Sequence, residues 1–375
     1  MRKLLIAILC MAMMSPCVSC ENSTKKNSVS ETEEQDTTRV DSLSILVAGD
    51  LMQHQNQITT AFNGKSYNYD ECFALVKPII SDADIAIGNL EVTLGGKPYK
   101  GYPCFSAPDE YLDAIIAAGF DVLTTGNNHC LDTRKKGLER TIDKLDSMHI
   151  PHLGTYKDMA ERDKNYPLLV EKNGFRIALI NFTYATNGIK VQEPNVVNYI
   201  DTVQIANDIK KAKGMNPDLV IAIPHWGIEY SLLPNKPDTD LAEWMFKQGV
   251  DHIIGGHPHV LQPMECRNSK AVNGGNLLVY SLGNYISNMT KDNTYGGAMV
   301  RMDFVKHNGK VKLAKYGYML TYCSRPQISG KKNFRVVPVN MDEELNANDK
   351  RLRDKFVNKM NDLFSKHNVD FEAYK

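Results

Sequence analysis

An excess of either charge is missing from this chain. Lysine and arginine number 44, aspartate and glutamate number 44, and the formal net charge is zero. A balanced chain offers no electrostatic footprint for a polyanionic backbone, so nucleic acid is not an expected partner. Beyond the amino end no apolar run reaches the length of a membrane-spanning helix. After residue 20 the cysteines are Cys72, Cys104, Cys130, Cys266 and Cys323. Their odd number is poor support for a disulfide framework, and spacing alone does not pair them. No internal repeat is visible, so a repeat array is not expected.

What is present is an ordinary globular composition, 42% hydrophobic and 23% charged over 375 residues. That length allows one large domain or two ordinary ones. The amino end stands apart. Arg2 and Lys3 precede an apolar run from Leu4 to Met14, and Ser15-Pro16-Cys17-Val18-Ser19-Cys20 follows. This reads as a signal peptide over residues 1–20. Val18-Ser19-Cys20 resembles a bacterial lipobox with Cys20 as the acylated residue, although Cys17 stands where leucine is usual. The expected location is the bacterial cell envelope, exported and anchored to the membrane at Cys20; plain secretion with cleavage nearby is the alternative. Residues 21–42 are polar and charged with almost nothing to bury, and read as a flexible tether. The expected domain is 43–325, followed by a carboxyl-terminal extension over 326–375 with a terminal helix.

From Ser44 onward, short apolar runs alternate with helical periodicities. Strands are expected at 44–48, 84–87, 120–125, 218–223, 253–254 and 276–282. Helices are expected at 109–118, 135–148, 202–212, 240–248 and 351–367. Pro167 to Glu171 and Arg176 to Asn181 flank Asn173-Gly174 and predict a hairpin. Two further strands flank Asn308-Gly309. The alternation predicts an α/β protein, mainly parallel in its first half and strand-rich at its end.

Asp251-His252-Ile253-Ile254-Gly255-Gly256-His257-Pro258-His259 is the stretch with the clearest chemistry. A buried strand runs into two glycines that permit a sharp turn. Two histidines one residue apart then leave it on a loop stiffened by proline. That is a plausible metal-ligand pair, though a polar loop with incidental histidines has the same look. Other strand-like runs decide the matter, because they end in Asp50, Glu91, Asn128 with His129, and His225. In open α/β sheets the crevice beyond the strands' carboxyl ends is where ligands bind. Two carboxylates, one amide and three or four imidazoles make the mixed oxygen and nitrogen shell of a divalent transition metal, or a pair of them.

These residues also carry a resemblance. Gly49-Asp50, Asn89-Leu90-Glu91, Phe105 to Pro108, Gly126 to Asp132, His225-Trp226-Gly227, Gly256 to His259 and Ser281 to Asn284 occur in order. Together they resemble the CapA group of capsule and poly-γ-glutamate biosynthesis proteins, a branch of the calcineurin-like metallophosphoesterases. The resemblance implies a metallophosphoesterase-like four-layer αββα sandwich. It implies two divalent ions (Mn, Fe or Zn) held by Asp50, Glu91, Asn128, His225, His257 and His259. Phosphoesterases generally have aspartate where Glu91 stands. They also place histidine two residues after the first aspartate, where this chain has Met52; His54 is the candidate that reaches the metal by a longer loop, or a substrate contact. Two metals would polarise a phosphoryl or carbonyl oxygen and supply hydroxide.

The same resemblance makes His129 the catalytic histidine. It protonates a leaving group or stabilises charge. Asp132 either orients that ring or caps the following helix. Tyr230, Tyr285 and Arg325 are candidates for the substrate wall; Trp226 lies in the crevice or the core, and Cys130 reads as a packed small residue. The implied function is a metal-dependent hydrolase of the cell envelope. Its implied partners are an anionic polymer, a γ-glutamyl or phosphoester substrate, and capsule-synthesis membrane proteins. The alternatives are a non-catalytic assembly or export component and a periplasmic phosphatase for small phosphoesters.

Overall fold

Strand Val40–Leu51 is buried on both faces from Leu43 onward, which requires cover on each side. Its alternation assigns the two sides. Leu43, Ile45 and Val47 belong to one buried cluster, shared with residues of a second sheet such as Ile177, Leu179 and Ile221. Leu46, Ala48 and Leu51 belong to another, filled by helix residues Phe73, Ile80, Tyr111, Leu112 and Ile115. The next strand repeats the pattern, with Ile85 and Ile87 inward and Ala86 and Leu90 outward. A strand that alternates between two apolar clusters lies in the middle of a layered sandwich.

The computed structural model describes residues 40–375. Two sheets form the centre. In the first, the order is Arg335–Pro338, Lys310–Ser324, Gly296–His307, Val40–Leu51, Ile85–Leu90, Val122–Thr124 and His152–Leu153. Strands from Val40–Leu51 to His152–Leu153 pair in parallel, and the three on the other flank are antiparallel. The short strand Asn284–Ile286 joins beside the end of Val40–Leu51. In the second sheet the order is Met264–Arg267, Asn276–Val279, His252–Ile254, Leu219–His225, Phe175–Thr183 and Leu168–Lys172. Its four inner strands are parallel and its two edges antiparallel.

Helices cover the outer faces. Asp109–Ala117 packs on the first sheet through Tyr111, Leu112 and Ile115. Thr202–Gly214 and Lys236–Gln248 add Ile205, Ile209, Leu241 and Met245 to the cluster that holds the second sheet. The result is the four-layer αββα sandwich. No helix among the described residues is long and apolar enough to cross a membrane.

Three expectations change in detail. The hairpin at Asn173-Gly174 exists, and its second arm is longer than the expected 176–181: Phe175–Thr183 also pairs in parallel with Leu219–His225 and runs to the crevice. Residues 326–375 are integral to the sandwich. Arg335–Pro338 extends the first sheet, and Phe356, Met360, Leu363 and Phe364 of helix Ala347–His367 enter the main cluster. Strand Val40–Leu51 starts three residues earlier than the expected domain boundary. The signal-like segment, Cys20 and the tether up to residue 39 lie outside the described residues.

Candidate metal centre

Asp50 is placed by an irregularity in its strand. The register between Val40–Leu51 and Ile85–Leu90 shifts between Val47 and Asp50, and such shifts re-aim side chains. Gly49 sits inside that shift, and a Cβ there would lie 2.1 Å from the Gly283 carbonyl oxygen. Only glycine lets the two strand ends approach so closely.

The double glycine before His257 works differently from the sequence expectation. Neither Gly255 nor Gly256 takes a positive φ; the turn is made by His257 at φ 101° and His259 at φ 59°. The glycines are there for space. A Cβ on Gly255 would meet the Tyr280 carbonyl oxygen at 2.4 Å, and one on Gly256 would lie 3.0 Å from Asp50 Oδ1. Left-handed backbone at two non-glycine residues is strain, and strain of this kind gathers at functional sites.

Six side chains from five strand ends come together. His225 Nε2 is 2.8 Å from Asn128 Oδ1 and 3.6 Å from Glu91 Oε1. His259 Nε2 is 3.9 Å from Glu91 Oε1, and its Nδ1 is 3.4 Å from Asp50 Oδ2. The His225 and His257 ring centres are 4.8 Å apart. Two groups have ligand atoms all within 4.8 Å of one another: Glu91 with His257 and His259, and Asp50 with Glu91 and His225. Glu91 belongs to both.

The electrostatics fit a cation. Glu91 is fully buried; burial and then the Asp50 carboxylate beside it push its carboxyl well above the ordinary range. Neither Glu91 oxygen has a hydrogen-bond partner, and Asp50 Oδ2 and His257 Nδ1 have none either. Buried polar atoms are almost always paired, and an uncompensated buried charge costs several kcal/mol or more. Burial, then the neighbouring imidazoles, hold His225 and His257 well below the usual histidine range. They stand neutral, the form that ligates metal. Carboxyl oxygens without hydrogen-bond partners, set among neutral imidazoles, make a donor set that fits a divalent ion.

His129 and Asp132 lie beside this set. His129 Nδ1 is 2.7 Å from Asp132 Oδ2, which also accepts the Phe105 amide at 2.7 Å. Helix Arg134–Ser147 starts at Thr133 with no side-chain cap, so Asp132 serves the ring and not the helix. Phe105 packs edge-on against His129, ring centres 4.6 Å apart. Cys130 is buried beside them, and burial raises its thiol.

His54 falls in neither ligand group. Its Nδ1 lies 3.3 Å from Gln57 Oε1 and accepts the Asn288 amide at 3.3 Å, at the start of helix Gln55–Ala61. Burial, only partly opposed by the Gln57 contact, holds it down to about 4. Met52 points into the outer apolar cluster. Of the wall candidates, only Tyr230 borders the site, its ring 6.2 Å from His259 and under the Lys291 ammonium at 3.7 Å. Tyr285 is core, stacked on Phe73. Arg325 is buried and donates to the Met289 carbonyl, and Trp226 is core, its indole N–H donating to the Tyr280 carbonyl.

Some site residues escaped the sequence reading. Asn89 donates to Asp50 Oδ1 at 2.8 Å and receives Thr124 Oγ1 and Asn127 Nδ2. Asn187 accepts from Asn128 Nδ2 at 3.2 Å, and Tyr184 packs on His257 with ring centres 4.3 Å apart. The rule that strands deliver ligands at their carboxyl ends would have found Tyr184 and Asn187, had Phe175–Thr183 been read as an inner strand.

A model of the family described as bacterial capsule synthesis protein PGA_cap matches residues 44–289. The chain belongs to that family. It is 29% identical over 272 residues to the capsule biosynthesis protein CapA of Bacillus anthracis, covering 69% of this chain and 63% of that protein. To the PGA biosynthesis protein CapA of Bacillus subtilis (strain 168) it is 29% identical over 289 residues, covering 74% and 72%. The aligned stretch thus spans less than two thirds of the Bacillus anthracis relative's own length. Among solved structures, the sandwich is similar to a Staphylococcus aureus protein described as a 5'-nucleotidase. The TM-score is 0.50 at 15% identity, covering 84% of this chain and 58% of that one. That likeness is one of fold, the metallophosphoesterase-like sandwich.

Proposed function

We propose that the protein is a metal-dependent hydrolase of the cell envelope, working on a phosphoester or γ-glutamyl bond in capsule-type polymer biosynthesis. One observation carries this reading: a donor set with orphaned buried oxygens adjoins a histidine already tied to a carboxylate. Asp50, Glu91, Asn128, His225, His257 and His259 would hold two divalent ions, drawn from Mn, Fe and Zn; Glu91 belongs to both ligand groups. Bound there, such ions supply Lewis-acid polarisation of a phosphoryl or carbonyl oxygen.

The rest is done by the chain. Asp132 holds the Nδ1 side of His129, leaving Nε2 as the nitrogen that carries a proton to the leaving group. The Phe105 edge excludes water from that ring. Asn89 and Asn127 brace Asp50 and the backbone of Ile85–Leu90, so that the carboxylates keep their places without ions.

The test is bound metal, measured on the full-length protein, followed by turnover of a phosphoester panel against γ-glutamyl peptides. Release from one class by the metal-loaded protein, and its loss in His129→Ala, is the expected result. Met52 supports a second reading. With a thioether packed in the core where phosphoesterases carry histidine, one ion has fewer ligands, as suits a non-catalytic assembly or export component. A metal-loaded protein that turns over neither class favours it. Location is tested separately. Cys20→Ala should move the protein out of the membrane fraction, and unchanged fractionation rejects the lipid anchor.

A further inference from the structure

Asn284 ends the Ser281-Leu282-Gly283-Asn284 run and is fully buried. Its Cα pairs with that of Asp50 where Asn284–Ile286 lies parallel to the end of Val40–Leu51. Its Oδ1 is 3.0 Å from His259 Nδ1. The other end of the amide is committed: Nδ2 donates to the Thr294 carbonyl at 3.3 Å and to Met289 Sδ at 3.4 Å. Neither of those atoms can donate, so the amide has one orientation and its oxygen faces the imidazole. An oxygen that only accepts requires a proton on His259 Nδ1. Asp50 Oδ2 lies 3.4 Å from the same nitrogen without completing a hydrogen bond, and its charge favours the same proton. The opposite nitrogen, Nε2, is the one turned to Glu91.

We propose that Asn284 is a positioning residue that fixes the His259 ring with Nδ1 protonated, so that Nε2 is the nitrogen presented to a divalent ion. The inference rests on the metal reading of the site. Its physical content is that Asp50 is itself in the donor set, so its oxygen is drawn to the ion when one binds. Asn284 is then the acceptor that remains to hold the ring. Residues in this role typically change metal affinity about 10–100-fold.

Asn284 also ties down the loop 288–294, whose Asn288 amide donates to His54. Two substitutions separate that duty from the first. Asn284→Leu removes both acceptor and donor, whereas Asn284→Asp keeps an acceptor toward His259 and loses the donor toward the loop. Zinc affinity is measured on the full-length protein by competition with a chromophoric chelator, with circular dichroism melts of each metal-free variant to confirm folding. Asn284→Leu should bind zinc about 10–100-fold more weakly, and Asn284→Asp should recover most of that loss.

A readout independent of metal accompanies this. Nitrogen-15 spectra of the histidine rings in the metal-free protein should show His259 as the Nδ1–H tautomer, assigned by its loss in His259→Gln. In Asn284→Leu that tautomer should give way to a mixture. Three results would overturn the proposal: unchanged zinc affinity in the leucine variant, equal loss in both variants, or an Nε2–H ring in the wild type. If the wild type takes up no zinc, it is the metal reading that falls. The ring spectra then decide by themselves whether Asn284 holds the tautomer.

Discussion

The two ends of the sandwich use the same residue type in opposite ways. At the amino ends, Asp84, Asp121, Asp218 and Asp251 each precede a parallel strand and accept a backbone amide from the strand beside it. Asp84 accepts from Ser44, Asp121 from Ala86, Asp218 from Arg176 and Asp251 from Val220, all at 2.7–2.8 Å. At the carboxyl ends, Asp50 and Glu91 are fully buried where the four aspartates are half-buried or exposed, and three of their four oxygens have no hydrogen-bond partner. A carboxylate that accepts a neighbouring strand's amide stabilises the fold. One left unpaired in a dry crevice destabilises it and persists where a ligand repays the cost. The scaffold aspartates are at most half-buried and hydrogen-bonded, whereas the crevice carboxylates are fully buried and largely without hydrogen bonds, so burial and hydrogen-bond satisfaction together distinguish scaffold from site.

The strongest way to sharpen this contrast is His257→Ala. It should empty the crevice of metal and abolish hydrolysis together, read by elemental analysis and turnover, since it removes a nitrogen from the donor set itself. His129→Ala comes next. Its rate should fall by about 10²–10⁴ with metal content unchanged, because an acid-base group is lost and no ligand is. Metal loss in that variant would make His129 a ligand, and full activity would make it a bystander.

The smaller effects are changes of stability with opposite signs. Asp251→Ala strands the Val220 amide and should lower the unfolding free energy by about 1–3 kcal/mol in urea titrations, leaving metal uptake intact. Glu91→Gln should weaken metal binding yet stabilise the metal-free protein, by up to about 1–3 kcal/mol, since burial and the Asp50 charge disfavour ionisation of that carboxyl and an amide has no charge to lose on folding. If Asp251→Ala and Glu91→Gln shift the metal-free protein in the same direction, the distinction between the two ends is wrong.

Much of the site was legible because strand ends are local events. An apolar run that stops at Asp50, Glu91, Asn128 or His225 marks the place where a chain leaves a buried sheet, and the next polar residue must face the crevice. Several members were not legible. Asn284 touches His259 across 25 residues, Asn89 reaches Asp50 across 39, and Asn187 meets Asn128 across 59. An asparagine that braces a ligand looks like any loop asparagine until its partner is beside it. His54 depends on tertiary context in the same way. Four residues from Asp50 it has a ligand's spacing, but the helix beginning at Gln55 turns its Nδ1 to Gln57 and the Asn288 amide.

By itself the sequence determined the alternation of strands and helices and the residue types at most of the strand ends, because hydrophobic period and chain exit are written in neighbouring residues. Only the tertiary structure decided that Phe175–Thr183 is an inner strand and that residues 326–375 complete the sandwich. It also decided that the turn before the crevice is made by His257 and His259 and not by the glycines. The physical reason is that each of these depends on what stands opposite. Gly255 and Gly256 are needed because a carbonyl and a carboxylate from distant strands lie 2.4 and 3.0 Å from where a Cβ would be, so the bend moves to the histidines.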